Sequence, residues 1–255
     1  MIILCIERFM KKGFIYRRLA RFFPVFISNV QCGGISLPNK HQIAGFAEVF
    51  CQPHYWRLFD VLEKSPGVVV DFGGNCGYFP VLSEIVSRAK FGDCAAKYYV
   101  FEALAENIPQ IEHTVETAGI RGRTEVIRGA IGAASGEAAI ACGKGSTLTA
   151  GVYGTGQLQK VPYVNLTEFF SSRGIDRIDV LKIDIEGSEH ELFRSFPEFF
   201  GMVDVVLIEL HETGGTQASG LAFMEAAGFR QHGPALHNGG DMLLVFRRGE
   251  TGAGQ

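Results

Sequence analysis

Short apolar runs and longer amphipathic segments alternate along most of the chain. The runs are Val68 to Asp71 (VVVD), Lys97 to Phe101 (KYYVF), Thr124 to Arg128, Asp179 to Ile183 (DVLKI) and Asp204 to Leu210 (DVVLIEL). Each is the length of a strand, rich in β-branched or aromatic residues, and bounded by turn residues or acids. Between them, helical spacing predicts helices over Phe79 to Arg88, Asn107 to Ala118, Val164 to Arg173 and His190 to Phe196. Pro80 is tolerated in the first turn of its helix, and Pro197 stops the last one. Phe46 to Lys64 also reads as helical, broken near Pro53, and Leu221 to Ala227 ends at Gly228. Phe229 to His232 and Asp241 to Phe246 predict two closing strands, with His237 to Gly240 as a turn. Strands alternating with helices predict an α/β domain on a mainly parallel sheet.

Three stretches depart from this rhythm. Met1 to Val30 is apolar and basic together: Arg8, Lys11, Lys12, Arg17, Arg18 and Arg21 face only Glu7. It begins apolar, so it fits a secretory signal poorly. A helix packed on the domain, or partial disorder, outweighs a weak membrane-surface helix here. Met10 is an alternative start. Ala133 to Val161 carries six glycines among serines and threonines (Gly136, Gly143, Gly145, Gly151, Gly154, Gly156). Long segments of this kind are functional loops or disordered, and this one reads as a substrate-side loop or a short hairpin pair. Thr251 to Gln255 reads as a disordered tail. The expected organisation is an extension over 1–45 and a domain over 46–250.

Composition narrows the class. A net charge of −3 over 255 residues gives no broad basic footprint, so nucleic acid is not expected as a partner. The six cysteines form no C-x-x-C pair, which fits reduced thiols in the cytoplasm rather than a metal or redox motif. No apolar run is long enough to span a bilayer.

The chemistry concentrates where strands end. Val68 to Phe79 reads VVVDFGGNCGYF. Asp71 falls at the carboxyl end of a strand, where open α/β sheets place ligands. Gly73, Gly74 and Gly77 permit a tight turn and close approach of a bound molecule. A dinucleotide fingerprint needs glycine where Asn75 stands, and a P-loop needs Gly-Lys-Ser/Thr where Cys76-Gly77-Tyr78 stands. The pattern D-x-G-x-x-x-G resembles motif I of S-adenosylmethionine-dependent methyltransferases; a turn with no ligand is the plainer alternative. Glu102 ends the second strand, where a carboxylate can accept two hydrogen bonds from a ribose diol. Gly129 to Gly132 follows the third strand, beside where a nucleoside base lies.

Lys182 lies in an apolar strand, where a charge is costly unless paired. Its candidate partners are Glu209 and Asp184, and a structural ion pair is favoured over a catalytic lysine. Asp184, Glu186 and Glu189 follow on the ligand edge. Glu209, His211 and Glu212 close the fifth strand. His211 is a candidate general base, since its ordinary pKa lies near working pH, or equally a polar loop residue.

Taken in order, VVVDFGGNCGYF, YYVFEA at Tyr98 to Ala103, LKIDIEGSEHEL at Leu181 to Leu192 and VVLIEL at Val205 to Leu210 resemble the FkbM family of S-adenosylmethionine-dependent methyltransferases. The segment LKIDIEGSE is the most specific. The one departure is Glu102-Ala103, where the family has Glu-Pro. The resemblance covers about Phe46 to Phe246. It implies a Rossmann-like seven-stranded class I methyltransferase sheet with helices on both faces and an N-terminal helical extension. It also implies S-adenosylmethionine as cofactor and O-methylation of a sugar or secondary metabolite. The implied cofactor-binding residues are Asp71, Gly73, Gly74, Asn75, Gly77, Tyr78 and Phe79, with Glu102 and Ala103 at the ribose. Ala130 and Ile131 would lie by the adenine and Asp184 by the reactive methyl. Asp184, Glu186 and His211 are the candidate catalytic residues. The acids could instead bind a metal that lowers the acceptor's pKa, but nothing in their spacing requires one, and no metal is expected. A non-catalytic interaction domain and a nicotinamide-dependent oxidoreductase are the competing readings.

Overall fold

The computed structural model describes residues 30–32, 35–37, 40–132, 136–142, 157–238 and 240–249. The basic segment up to residue 29, residues 143–156 of the glycine-rich stretch, and the C-terminal tail lie outside the described residues. No helix among the described residues is long and apolar enough to cross a membrane.

Strands β1 (Val30–Cys32) and β2 (Ile35–Leu37) form a small antiparallel pair. Helices α1 (Lys40–Cys51) and α2 (Pro53–Asp60) follow, and α1 runs across residue 45, where the sequence reading ends the extension. Pro53 starts α2, since a first-turn proline lacks only an N–H that would be unpaired anyway. The βα units come next: β3 (Val68–Phe72), α3 (Tyr78–Phe91), β4 (Lys97–Glu102), α4 (Ile108–Thr117) and β5 (Thr124–Arg128). A short β6 (Ala130–Ile131) leads to β7 (Glu137–Cys142) and β8 (Gln157–Val164). Helix α5 (Leu166–Ser171) is capped by Asn165, whose side chain accepts from the Glu168 N–H. Then come β9 (Ile178–Ile183), α6 (Glu189–Ser195), β10 (Val203–Leu210), α7 (Gln217–Ala226), β11 (Phe229–Gln231), β12 (Leu236–Asn238) and β13 (Asp241–Arg248).

The central sheet runs β11-β13-β10-β9-β3-β4-β5, with β12 paired to β13. From β10 to β5 the strands are parallel, and β13 is antiparallel to both β10 and β11. The sheet therefore has eight strands, one more than expected. The extra strand includes His237 and Asn238, which the sequence reading placed in a turn. Three residues are too few for alternation to register, and their pairing with Asp241, Met242 and Leu243 is what makes them a strand. The glycine-rich stretch contains an antiparallel pair, β7 with β8, one of its two readings.

Helices cover both faces, so the central strands are apolar without alternation. The pleat still sorts them. Val69, Tyr98, Val100, Val180, Val205 and Leu207 pack with Phe46, Tyr55, Leu58 and Phe79 from the α1–α3 layer. Val70, Phe72, Tyr99, Phe101, Leu181, Val206 and Ile208 pack with Phe170, Leu192, Phe193, Phe200 and Met224 on the other face.

Glu84 ties α3 to this sheet. It is buried, and it accepts from Tyr98 Oη (2.8 Å), Arg123 Nη2 (2.8 Å) and Arg88 Nε (2.5 Å). Burial alone would raise its pKa, but those three donors outweigh it and hold the carboxyl below its ordinary value. Glu84→Gln is expected to lower stability by about 2 kcal/mol at neutral pH. A carboxyl whose folded pKa is depressed contributes stability above its unfolded pKa, near 4.3, and loses it as pH falls through the folded value. Urea unfolding should therefore give a gap between wild type and variant that narrows below about pH 4. A gap independent of pH would remove the charge from this account.

Candidate functional site

The same pleat that fills the core places the polar groups. On the face toward α1–α3, each central strand changes from apolar to charged at its carboxyl end. Val69 gives way to Asp71, Val100 to Glu102, Val180 to Lys182 and Leu207 to Glu209. Asp71 and Lys182 are register partners across β3 and β9, and Lys182 faces Leu207 on β10. Four strands thus bring their terminal charges to one edge, beneath α1 and α2.

Lys182 is the hub. Only 4% exposed, its Nζ donates to the Gly73 carbonyl at 2.8 Å and lies 3.2 Å from Asp71 Oδ1 and 3.4 Å from Asp184 Oδ2. Burial works against its charge, but the two carboxylates outweigh burial and raise its pKa, so it stays an ammonium. One ammonium shared between two carboxylates does not offset the full burial of Asp71, whose carboxyl is pushed up to about 6. Of the two expected partners of Lys182, Asp184 is present and Glu209 is not; Asp71 takes that place.

The glycine turn wraps the end of β3. The Gly73 and Gly74 N–H groups both donate to the Phe101 carbonyl, at 3.0 and 2.9 Å. Glu102 braces the turn from β4: Oε2 accepts the Asn75 N–H (2.7 Å) and Oε1 the Leu104 N–H (2.8 Å). Asn75 adopts φ +48°, a left-handed conformation that asparagine tolerates. Over the turn lies a cavity lined by Asp71, Gly73, Gly74, Asn75, Tyr78, Phe79, Lys182 and Asp184 below, and by Glu48 and Tyr55 from the helices above. Asp71 is 1% exposed; the Lys182 ammonium is close to Oδ1 but off the hydrogen-bond direction, and no other described residue donates to either carboxylate oxygen.

A second cluster adjoins it at the ends of β9 and β10. The Glu189 carboxylate, fully buried, accepts the Ile185 and Gly187 N–H groups through Oε1 (3.3 and 3.2 Å). That holds the turn in which Glu186 takes φ +53°. The same oxygen lies 3.0 Å from His211 Nδ1, which turns Nε2 toward Glu186 Oε2 at 3.8 Å. Burial opposes charge on His211, but Glu189 outweighs it and pushes the imidazole up to about 10. Burial and the neighbouring Asp184 push the Glu186 carboxyl up to about 8, and the same two causes do so for Glu209. Tyr55 Oη is held well above its ordinary pKa by burial and by the fields of Asp184, Glu48, Glu209 and Asp71.

The predicted residues thus fall into groups. Asp71, Gly73, Gly74, Asn75, Tyr78, Phe79 and Asp184 line the cavity. Gly77 stands behind it, against Ile111, and Glu102 acts on the turn from the side. Ala103 and Ala130 meet in a small apolar cluster with Ala138, Ile140 and Val161, and Ile131 packs on the opposite core. Glu186 and His211 share the second cluster with Glu189. Sequence reasoning missed Glu48 and the pairing of Glu189 with His211, whereas the segment from Phe50 through Tyr55 reads from sequence as packing over the sheet, and Tyr55 does line the cavity. The sequence does carry one signal for Glu48: it is the sole acid in the otherwise apolar and neutral run Ile43 to Cys51.

A search of the curated proteins finds no match. Among solved structures, the chain is similar to a candidate RNA methyltransferase from Pyrococcus horikoshii (12% identity, 89% of this chain and 91% of that one, TM-score 0.48). It is similar to a protein of the NADB-Rossmann superfamily from Streptococcus agalactiae (13%, 78% and 68%, TM-score 0.47). It is also similar to a precorrin-6y C5,15-methyltransferase from Geobacter metallireducens (8%, 76% and 86%, TM-score 0.45). Residues 71–231, from the acid that opens the glycine turn to the end of β11, match the methyltransferase FkbM domain. With well over half of its length in that match, the chain belongs to the FkbM methyltransferase family.

Proposed function

We propose that this chain transfers a methyl group from S-adenosylmethionine to a hydroxyl of a small molecule, a sugar or secondary metabolite. The observation that carries the reading is Asp71. It is a buried carboxylate whose Oδ1 lies 3.2 Å from the Lys182 ammonium and neither of whose oxygens has a well-directed hydrogen bond from a described residue, at the edge of a cavity floored by the glycine turn. An ammonium group such as that of the methionine moiety fits there, because it supplies charge and donors together. The surplus of carboxylates around the cavity suits a sulfonium as well.

When bound, the cofactor supplies a methyl group on a positively charged sulfur, a leaving group that needs no further activation. The chain's own part is placement and proton removal. Gly73, Gly74 and Asn75 form the floor that orients the methionine end, and Glu102 keeps that floor rigid while retaining lone pairs for a ribose diol. Ala103 and Ala130 offer apolar surface to the base, whereas Ile131 is turned to the opposite core. Asp184 and Glu186, with side chains 21% and 33% exposed, stand at the mouth where an acceptor hydroxyl can reach them. They are the groups placed to take its proton. His211, held by Glu189, orients Glu186 and balances its charge. Alignment of the acceptor oxygen is the larger contribution, as in any displacement between two bound partners.

Calorimetric titration with S-adenosylmethionine, S-adenosylhomocysteine and NAD tests this. Both sulfur ligands should bind and NAD should not. Asp71→Asn should weaken S-adenosylmethionine by about 10- to 100-fold, the value of one charge-assisted contact. A folded chain that ignores both sulfur ligands would sink the proposal, and NAD binding alone would replace it with the oxidoreductase reading.

A further inference from the structure

Glu209 is unused by the function above, and its surroundings are unusual. It is 8% exposed, on the sheet face under α1 and α2, and makes no hydrogen bond or ion pair with any described residue. Buried carboxylates are ordinarily paired or bound to a cation. Donor atoms of Glu209, Asp184 and His211 all lie within 4.8 Å of one another. His211 has the arrangement of a metal-binding histidine: Nδ1 engages a buried carboxylate, Glu189, which leaves Nε2, 3.8 Å from Glu186 Oε2, as the nitrogen open to a cation. Asp184 has a second oxygen besides the one near Lys182. A divalent ion about 2.1 Å from each donor needs them roughly 3–4 Å apart, so the trio need close by only about an ångström.

We propose that Asp184, Glu209 and His211 form a divalent-cation site that binds the methyl acceptor through its oxygens. Two carboxylates and one imidazole suit a first-row ion such as Mn2+ better than a cage of oxygens alone would. Asp184 is shared with the transfer site, so a cation there would hold the acceptor beside the methyl and draw its hydroxyl toward ionisation. The favoured acceptor is therefore one with two neighbouring oxygens, a vicinal diol or a hydroxy-carbonyl compound. The role in catalysis rests on the methyltransferase reading, whereas the cation site itself does not.

The full chain, free of cofactor, is titrated with Mn2+, and the free-ion electron paramagnetic resonance signal is followed. One Mn2+ per chain should be taken up, with affinity at least about 10-fold weaker in both Glu209→Gln and His211→Gln. Circular dichroism confirms that each variant is folded, and either variant alone suffices. No uptake by the folded wild type, or equal uptake by a folded variant, overturns the site. S-adenosylhomocysteine is titrated separately without metal. Uptake of Mn2+ by a chain that does not bind it would leave the cation site standing and remove its role in methyl transfer.

Discussion

Lys182→Met is expected to destabilise the chain by about 3–5 kcal/mol at neutral pH, the range for breaking a buried ion pair by removing one partner. Methionine matches the lysine stem and keeps the strand apolar, so little of the loss comes from packing. What is lost is the ammonium between Asp71 and Asp184 and the donor to the Gly73 carbonyl. Asp71, 1% exposed, is then left as an uncompensated charge. Its carboxyl is already pushed up to about 6 by burial, with Lys182 opposing and Asp184 adding to the rise, and it moves higher without the lysine. A carboxyl with a raised folded pKa is penalised above that pKa, and the penalty fades as pH falls toward the unfolded value. The deficit of the variant, measured by urea unfolding, should therefore be largest above pH 7 and narrow toward about pH 5. Adding Asp71→Asn should restore much of the stability, because the stranded charge is then gone. A loss under about 1 kcal/mol at neutral pH would mean that the lysine is not what makes burial of Asp71 tolerable.

Gly73→Ala should be of similar size and of different origin. Gly73 has φ +87°, and a Cβ there would stand 1.8 Å from the backbone oxygen of Asp184. That oxygen cannot swing aside as a side chain can, since the Asp184 N–H is bonded to Phe72 O at 3.1 Å. The left-handed conformation alone costs a non-glycine residue about 1–2 kcal/mol. Moving the end of β9 adds to it, for a total of at least about 3 kcal/mol and a thermal midpoint lowered by about 10 °C. Gly92→Ala is the control. Its φ is +85°, but nothing lies within 4 Å of the added carbon, so it should lose only about 1 kcal/mol. Equal midpoints for the two variants would refute the claim that close approach, rather than backbone conformation, demands Gly73.

Much of the architecture is legible without coordinates. The βα order, the acids at Asp71, Glu102 and Asp184, and the glycine turn are all local signals. A strand shows in its own apolar run, and a turn shows in its own glycines, because burial on both faces and φ above zero are conditions on neighbouring residues. The same holds within LKIDIEGSE: Lys182 pairs with Asp184 two residues on, and Glu189 accepts from the Ile185 and Gly187 N–H groups just before it. The eighth strand at Leu236–Asn238 is not local in this sense, since its pairing with β13 is what defines it.

Lys182 draws the line most clearly. The sequence by itself determines that a buried lysine in an apolar strand must find an anion, and it offers Asp184 two residues on. It cannot reveal that Asp71 completes the pair, because that follows from the register of β3 against β9. Nor can it reveal that His211 turns on Glu189 or that Glu209 has no hydrogen-bond or ion-pair partner among the described residues, since those depend on how the end of β10 meets the turn after β9. The cover supplied by Glu48 likewise appears only when α1 folds back over the glycine turn. Charges meet according to strand register and helix packing, which couple residues far apart in the chain, whereas element type follows from neighbours along it.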